Sequence, residues 1–231
     1  MENFKSGQEL IVAALKEKSS VKQDIFNITK SVFEDFKRNL NQLHLDLNSE
    51  VEQFDERVGL TYKETGDFEA EIKFSGDILV FSMHTNVFNF DNQHEIYTTD
   101  YVREDKTRSY CGLIQIYNFL ADSFKYNRYD DIGYLIARIF VNKEKHFFVE
   151  GKRQLGFLYN DFSNAVINDV YIKAIIESAI LYSIEFDLLV PPYEAIKQIS
   201  VREMKSLTAE AGIRTGKRLG FQFSSGEGSI T

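Results

Sequence analysis

Apolar residues recur at steps of three or four from Ile25 through Ile28, Val32, Phe36, Leu40, Leu43, Leu47, Val51 and Phe54 to Val58. That spacing lines them along one side of a helix, so residues 21–58 predict one long amphipathic helix. At ~1.5 Å per residue its stripe would reach roughly 50 Å, longer than a small domain is wide. Part of it is therefore expected to meet a second helix or a second copy of the chain, with packing of the helix around its own domain as the other reading, and the ten residues are the candidate partner-binding set. Their mean step of about 3.67 favours straight or slightly right-handed packing over a left-handed coiled coil. A shorter helical segment covers residues 8–18, with Leu10, Ile11, Ala14 and Leu15 at helical spacing, and Ser19-Ser20 offer a break and an N-cap between the two.

The period then changes to two. Phe68, Ala70, Ile72 and Phe74 alternate with Glu69, Glu71 and Lys73, the pattern of a strand with one buried face, and Ile78–Thr85 reads as its hairpin partner. A two-residue Gly76-Asp77 loop would set Phe74 against Leu79, Ile72 against Phe81 and Ala70 against Met83. A three-residue loop would oppose apolar to polar side chains and is rejected. Residues 95–103 could form a strand. Leu113, Ile116, Leu120 and Phe124 step by three and four, predicting a helix over residues 110–124. Tyr134–Val141 and His146–Glu150 read as a second hairpin. Ser163 can cap a helix running to about Phe186 that is apolar on nearly every side, as suits a buried element packed on the sheet. Pro191-Pro192 ends that unit, a last helix covers residues 193–211, and the Gly/Ser-rich end from Gly212 reads as a flexible tail.

The fold class expected is α+β: a long N-terminal helix, an antiparallel sheet of two hairpins with an intervening helix, a buried helix and a C-terminal helix. The organisation expected is a helical N-terminal extension (1–60), an α+β core (61–190), a helix (191–211) and a tail (212–231).

Composition narrows the function classes. A formal net charge of -8 opposes binding to a nucleic-acid backbone, which needs clustered Lys and Arg. One cysteine forms no internal disulfide, and MENFKSGQEL lacks the basic start and apolar run of a secretory signal, so a cytoplasmic location is expected. The richest apolar run, Ala174–Val190, carries Glu177, Glu185 and Asp187, too polar for a membrane span.

Candidate chemistry is sparse. Glu150-Gly-Lys152 at a strand end resembles the metal-binding Glu and catalytic Lys of PD-(D/E)xK-type nucleases, because residues two apart on a strand share a face. Asp131 is the upstream acid such a site would need, but the expected register leaves it ~20 Å away along the strand, and an ordinary ion pair accounts for the same residues. His84, Asp91, His94 and Glu95 are suitable metal ligands with no recognisable spacing, and an exposed pair of His84 with Glu69 explains His84 as well. His44 flanks the apolar stripe. Cys111 would sit in the first turn of the predicted helix beside Arg108, where a thiol pKa falls, yet no Cys, His and Asn order accompanies it. The segment Gly212–Gly220 lacks the spacing of a phosphate loop. Its Arg214, Lys217 and Arg218, followed by Phe221 and Phe223, look more like a peptide that docks on an acidic or apolar groove. Tyr126, Tyr129, Tyr134 and Tyr159 cluster around the second hairpin and could line a small-molecule pocket.

No cofactor or metal motif stands out, so none is expected. The leading expectation is a non-enzymatic cytoplasmic interaction or assembly module, homo-oligomeric or bound to another protein through residues 21–58. A small-molecule-sensing domain with a pocket between the sheet and the helix of residues 163–186 is the alternative, and a metal-dependent nuclease comes third.

Overall fold

The apolar stripe at the start of the chain folds as one continuous helix in the computed structural model, which describes residues 6–186, 190 and 192–210. Helix α1, Gly7–Ala14, passes through a π turn at Leu15–Ser19 and continues as α2, Ser20–Phe54. Its start is fixed by a reciprocal capping box: the Glu9 N–H donates to Ser6 Oγ, and the Ser6 N–H donates to the Glu9 carboxylate at 2.7 Å. The break expected at Ser19-Ser20 does not occur. A π turn absorbs the irregularity without interrupting the backbone hydrogen bonds, and no side chain caps α2 at Ser19. The whole helix is roughly 70 Å long.

Six strands follow: β1 Thr61–Gly66, β2 Glu69–Phe74, β3 Asp77–Met83, β4 Cys111–Leu120, β5 Tyr134–Asn142 and β6 Phe147–Gly151. They form one antiparallel sheet in the order β1-β2-β3-β4-β5-β6, each strand bonded to its chain neighbour. The connections carry α3, Asp100–Glu104, and α4, Ala121–Lys125; after the sheet come α5, Gln154–Phe157, α6, Asp169–Ile184, α7, Tyr193–Ile196, and α8, Val201–Glu210. The architecture is α+β, as the sequence pattern implies.

Helices α2 and α6 share one face of the sheet. Between them and the strands lies the main core, where Phe33, Phe36, Leu40, Ile72, Phe81, Ile114, Phe147 and Ile175 are all fully buried. Each such side chain contributes about 1.5–3 kcal/mol relative to exposure. Lys37 ties α2 to β1 by bridging Glu34 (3.1 Å) and Glu64 (2.9 Å). Burial pulls the Lys37 pKa down, but hydrogen bonds to Glu64 and Glu34 outweigh it and hold the pKa above its ordinary value. On the opposite face, residues 88–110 fold over β4–β6. There Phe88 and Phe90 cover Cys111, Leu113, Phe140 and Phe148, while Ala121 of α4 packs on Ile78 and Val80.

Several local expectations need correction. The faces of β2 and β3 are as the alternation implies, with Ala70, Ile72, Phe74, Leu79, Phe81 and Met83 all in the main core. The register is not: Phe74 pairs with Asp77, Ile72 with Leu79 and Ala70 with Phe81. Ser75, at φ 50, takes the first central position of the turn where glycine was expected. A slip of two residues keeps every side chain on its own face, so alternation could not detect it.

Residues 111–120 form β4, not a helix. As an interior strand covered on both faces it shows no alternation, and its β-branched and aromatic content was the better guide. Residues 95–103 form a 3-10 turn and the start of α3 instead of a strand. Strand β1, unforeseen, pairs with β2. The second hairpin exists, with Val141 opposite Phe147 rather than His146. Asn168, not Ser163, caps α6, its side chain accepting from the Tyr171 N–H. The last helix divides into α7 and α8. The tail from Gly212 lies outside the described residues.

Candidate interaction surface

Along α2 the apolar stripe is covered from Ile25 to Leu43. Ile25, Val32, Phe36, Leu40 and Leu43 are buried against the chain's own sheet, and Ile28 and Val51 pack partly on the same core. Val58, in the turn after α2, is half-buried. The stripe is thus spent within the fold from Ile25 to Leu43, and what remains open lies toward its C-terminal end and on the part of the helix that precedes it. At the C-terminal end Leu47 and Phe54 are 38% and 74% exposed.

The N-terminal end is more open still. No residue from Gly7 to Asp24 is buried, and Leu10, Ile11, Val12 and Leu15 are between 55% and 64% exposed. Residues 7–20 extend beyond the body of the protein, which the helix first meets where Lys22 lies over the Tyr110 ring. An isolated helix of that length is marginal in water, because packing of an apolar face supplies most helix stability. Its capping box and its continuity with α2 hold it in shape, leaving Leu10, Ile11, Ala14 and Leu15 at helical spacing without a covering surface among the described residues. The sequence pattern identified these residues as helical. It did not assign them a partner, because periodicity reports an apolar side and not what covers it.

The remaining candidate residues are dispersed. Glu150 lies opposite Arg138 on β5 and makes an ion pair with it. Lys152 donates its backbone N–H to Ile136 and its side chain is exposed. Asp131 is buried in the β4–β5 connection, accepting from Ser123 Oγ at 2.6 Å, with Arg128 Nε at 3.1 Å from the same oxygen. The three residues of the nuclease reading thus sit in separate interactions, and a catalytic assembly of them is not formed.

His84 lies beyond the end of β3, where its Nδ1 accepts from the Asn86 N–H at 3.0 Å and its ring meets Phe88 edge-on; Glu69 pairs with Ser82 instead. His94 Nδ1 caps the 3-10 turn at Ile96, Asp91 accepts from the Gln93 N–H, and Glu95 begins that turn. Among the described residues no group of three or more His, Cys, Asp or Glu is gathered as a metal ion would need. His44 is half-buried beside the stripe.

Cys111 starts β4, fully buried, and burial pushes its thiol pKa far up, the reverse of the activation a helix N-terminus would give. Tyr159 is buried in the main core, whereas Tyr126, Tyr129 and Tyr134 are exposed. The interface between α6 and the sheet is filled by Ile172, Ile175, Ile176 and Ala179. A groove of about 1000 Å³ instead opens on the other face between β1–β3 and α4. Its Lys63, Lys73 and Lys125 are matched by Glu71, Asp77 and Asp122, which gives it no preference for one sign of charge.

Among the described residues no helix is long and apolar enough to cross a membrane. Comparison of the chain with protein-family models, curated proteins and solved structures finds no match.

Proposed function

We propose that the protein is an interaction or assembly module whose α+β body holds a projecting helix for a partner, either a second copy of the chain or another protein. The observation that carries this reading is the run of four large apolar side chains on α1 and the π turn, exposed on a capped helix that the body does not cover. Groups of exposed apolar residues on a rigid element mark association sites more often than scattered ones do. On this reading the partner surface is Leu10, Ile11, Ala14 and Leu15, on the helix ahead of the stripe of residues 25–58; their exposure supports it. A cytoplasmic setting fits a single, buried cysteine.

Leu10→Asp with Leu15→Asp tests the reading in the full chain. Neither side chain is buried, so far-ultraviolet circular dichroism and the melting temperature should match wild type while sedimentation shows loss of the complex. Wild-type protein that sediments as a monomer at high micromolar concentration, together with a double variant that retains every cellular partner of wild type, would refute it.

A further inference from the structure

Three of the four histidines lie where residues 84–110 fold over the sheet: His84 packs edge-on against Phe88, His94 meets the rings of Phe90 and Phe148, and His146 stacks on Tyr101. Their hydrogen bonds differ in kind. His84 Nδ1 accepts from the Asn86 N–H at 3.0 Å, and His94 Nδ1 accepts from the Ile96 N–H at 3.2 Å. Each ring closes its turn as an Asn or Asp side chain usually does. A ring nitrogen that accepts has no proton, so both bonds require the neutral imidazole. Protonation would set an N–H against an N–H. His146 is the opposite case, since its Nδ1 lies 2.9 Å from the Phe162 carbonyl oxygen and must donate there. That bond is the same in the neutral and the protonated ring.

The anchors of residues 100–110 also withstand mild acid. Lys143 holds Asp105, whose carboxyl is kept at about 2 by hydrogen bonds from Lys143 and then Thr107. Tyr101 and Arg108 hold Glu144; burial pushes that carboxyl up, but the hydrogen bonds from Tyr101 and Arg108 outweigh it and keep it below its ordinary value. Asn142 donates to the Tyr101 hydroxyl at 2.9 Å. Residues 84–99 rest instead on the two His-closed turns, the Phe88–Cys111 bridge and the Phe90 ring against Phe140 and Phe148. Asp91 and Glu95 flank His94 on its own turn, Arg138 and Glu150 pair with each other beside Phe140, and Lys22 of α2 lines the groove along residues 85–88.

We propose that His84 and His94 form an acid-released catch: when both rings are protonated, residues 84–99 lift from the sheet about the fixed clamp at 100–110 and uncover Phe140 and Phe148. Both phenylalanines are buried while the catch is closed. Histidine side chains change charge between about pH 5 and pH 8, so the catch is closed above that range and released below it. The device is independent of the α1 surface.

Hydrogen–deuterium exchange of the full chain, read by mass spectrometry and corrected for the intrinsic pH dependence of exchange, tests the catch. Between about pH 7.5 and about pH 5.5 the protection of residues 84–99 should fall roughly tenfold, while that of residues 111–120 and 134–151 holds. His84→Asn with His94→Asn keeps an acceptor at each turn that does not titrate in this range, and should remove the pH dependence. Protection in wild type that acid leaves unchanged would overturn the proposal, and so would an acid response undiminished in the double variant. Nitrogen NMR of wild type tests the same bonds without any substitution: at about pH 7.5 the Nδ1 of His84 and of His94 should lack a proton and the Nδ1 of His146 should have one. A proton on Nδ1 of His84 or His94 would equally overturn it.

Discussion

Thr29 on α2 and Gly112 on β4 mark a point where helix and sheet meet without an intervening side chain: a Cβ added to Gly112 would lie 2.0 Å from Thr29 Oγ1 and 2.7 Å from its Cβ. Thr29 is fully buried and its hydroxyl donates to the Ile25 carbonyl at 2.7 Å, so it has little room to yield. Glycine is required at 112 by space.

Gly112→Ala should therefore cost about 1–3 kcal/mol through overpacking, read as a lower urea midpoint with unchanged slope. Adding Thr29→Ala removes the two side-chain tips nearest the new methyl and should restore part of the loss. The two changes would then be strongly non-additive. Additive effects would mean that the helix does not approach the sheet as described.

Asp131 should matter for stability rather than catalysis. Its carboxylate is buried with Arg128 and Ser123, and removing it strands a guanidinium away from water. Asp131→Ala is expected to cost about 3–5 kcal/mol, whereas replacing Arg128 and Asp131 together with leucine should cost less. Thermal melts of the three proteins settle the ranking.

The Asp105 carboxylate is held at about 2 by hydrogen bonds from Lys143 and then Thr107, against an ordinary 3.8. A depressed carboxylate stabilises the fold at pH above the unfolded value, and that contribution disappears as pH falls from 3.8 through about 2. The pair is partly solvent-exposed, so screening reduces its worth to about 1 kcal/mol. The urea midpoint of wild type should exceed that of Asp105→Asn near neutral pH, and the difference should close between about pH 4 and pH 2. A difference that persists at the acid end would contradict the assignment.

Cys111 should resist thiol reagents in the native state and react only as the protein opens. Labelling with a chromogenic disulfide across a urea series should follow the unfolding curve. Rapid modification without denaturant would show that β4 is not covered on both faces.

How much of this was legible in the sequence depended on burial. Helix α2 could be read because only one side is covered, so Ile25 and Leu40 alternate with turns such as Glu34-Asp35 and Asn41-Gln42 that meet solvent. Phe68 to Phe74 disclosed the faces of β2 for the same reason. Ile114 and Ile116 did not reveal β4, because Leu113 and Cys111 on its other face are buried too. Pairing register escaped detection where a shift of two preserved the alternation, as at Phe74 and Asp77. The functional surface was legible only as apolar content. Which of Leu10, Leu15, Leu43 and Phe54 faced solvent depended on where the sheet stopped, and that is a property of the assembled fold.

The sequential strand order has a consequence for synthesis. A ribosome delivers α2 first, and each strand then finds its partner in the strand made just before it, so the meander can zip up during elongation. Helix α6 is the exception, since it completes the covering of strands translated well earlier. Until Asp169–Ile184 has emerged, Ile139 and Phe147 lack part of their cover, and nascent chains at that stage are natural clients for chaperones. Arrested chains ending before residue 169 should bind an apolar fluorescent dye that released full-length protein does not.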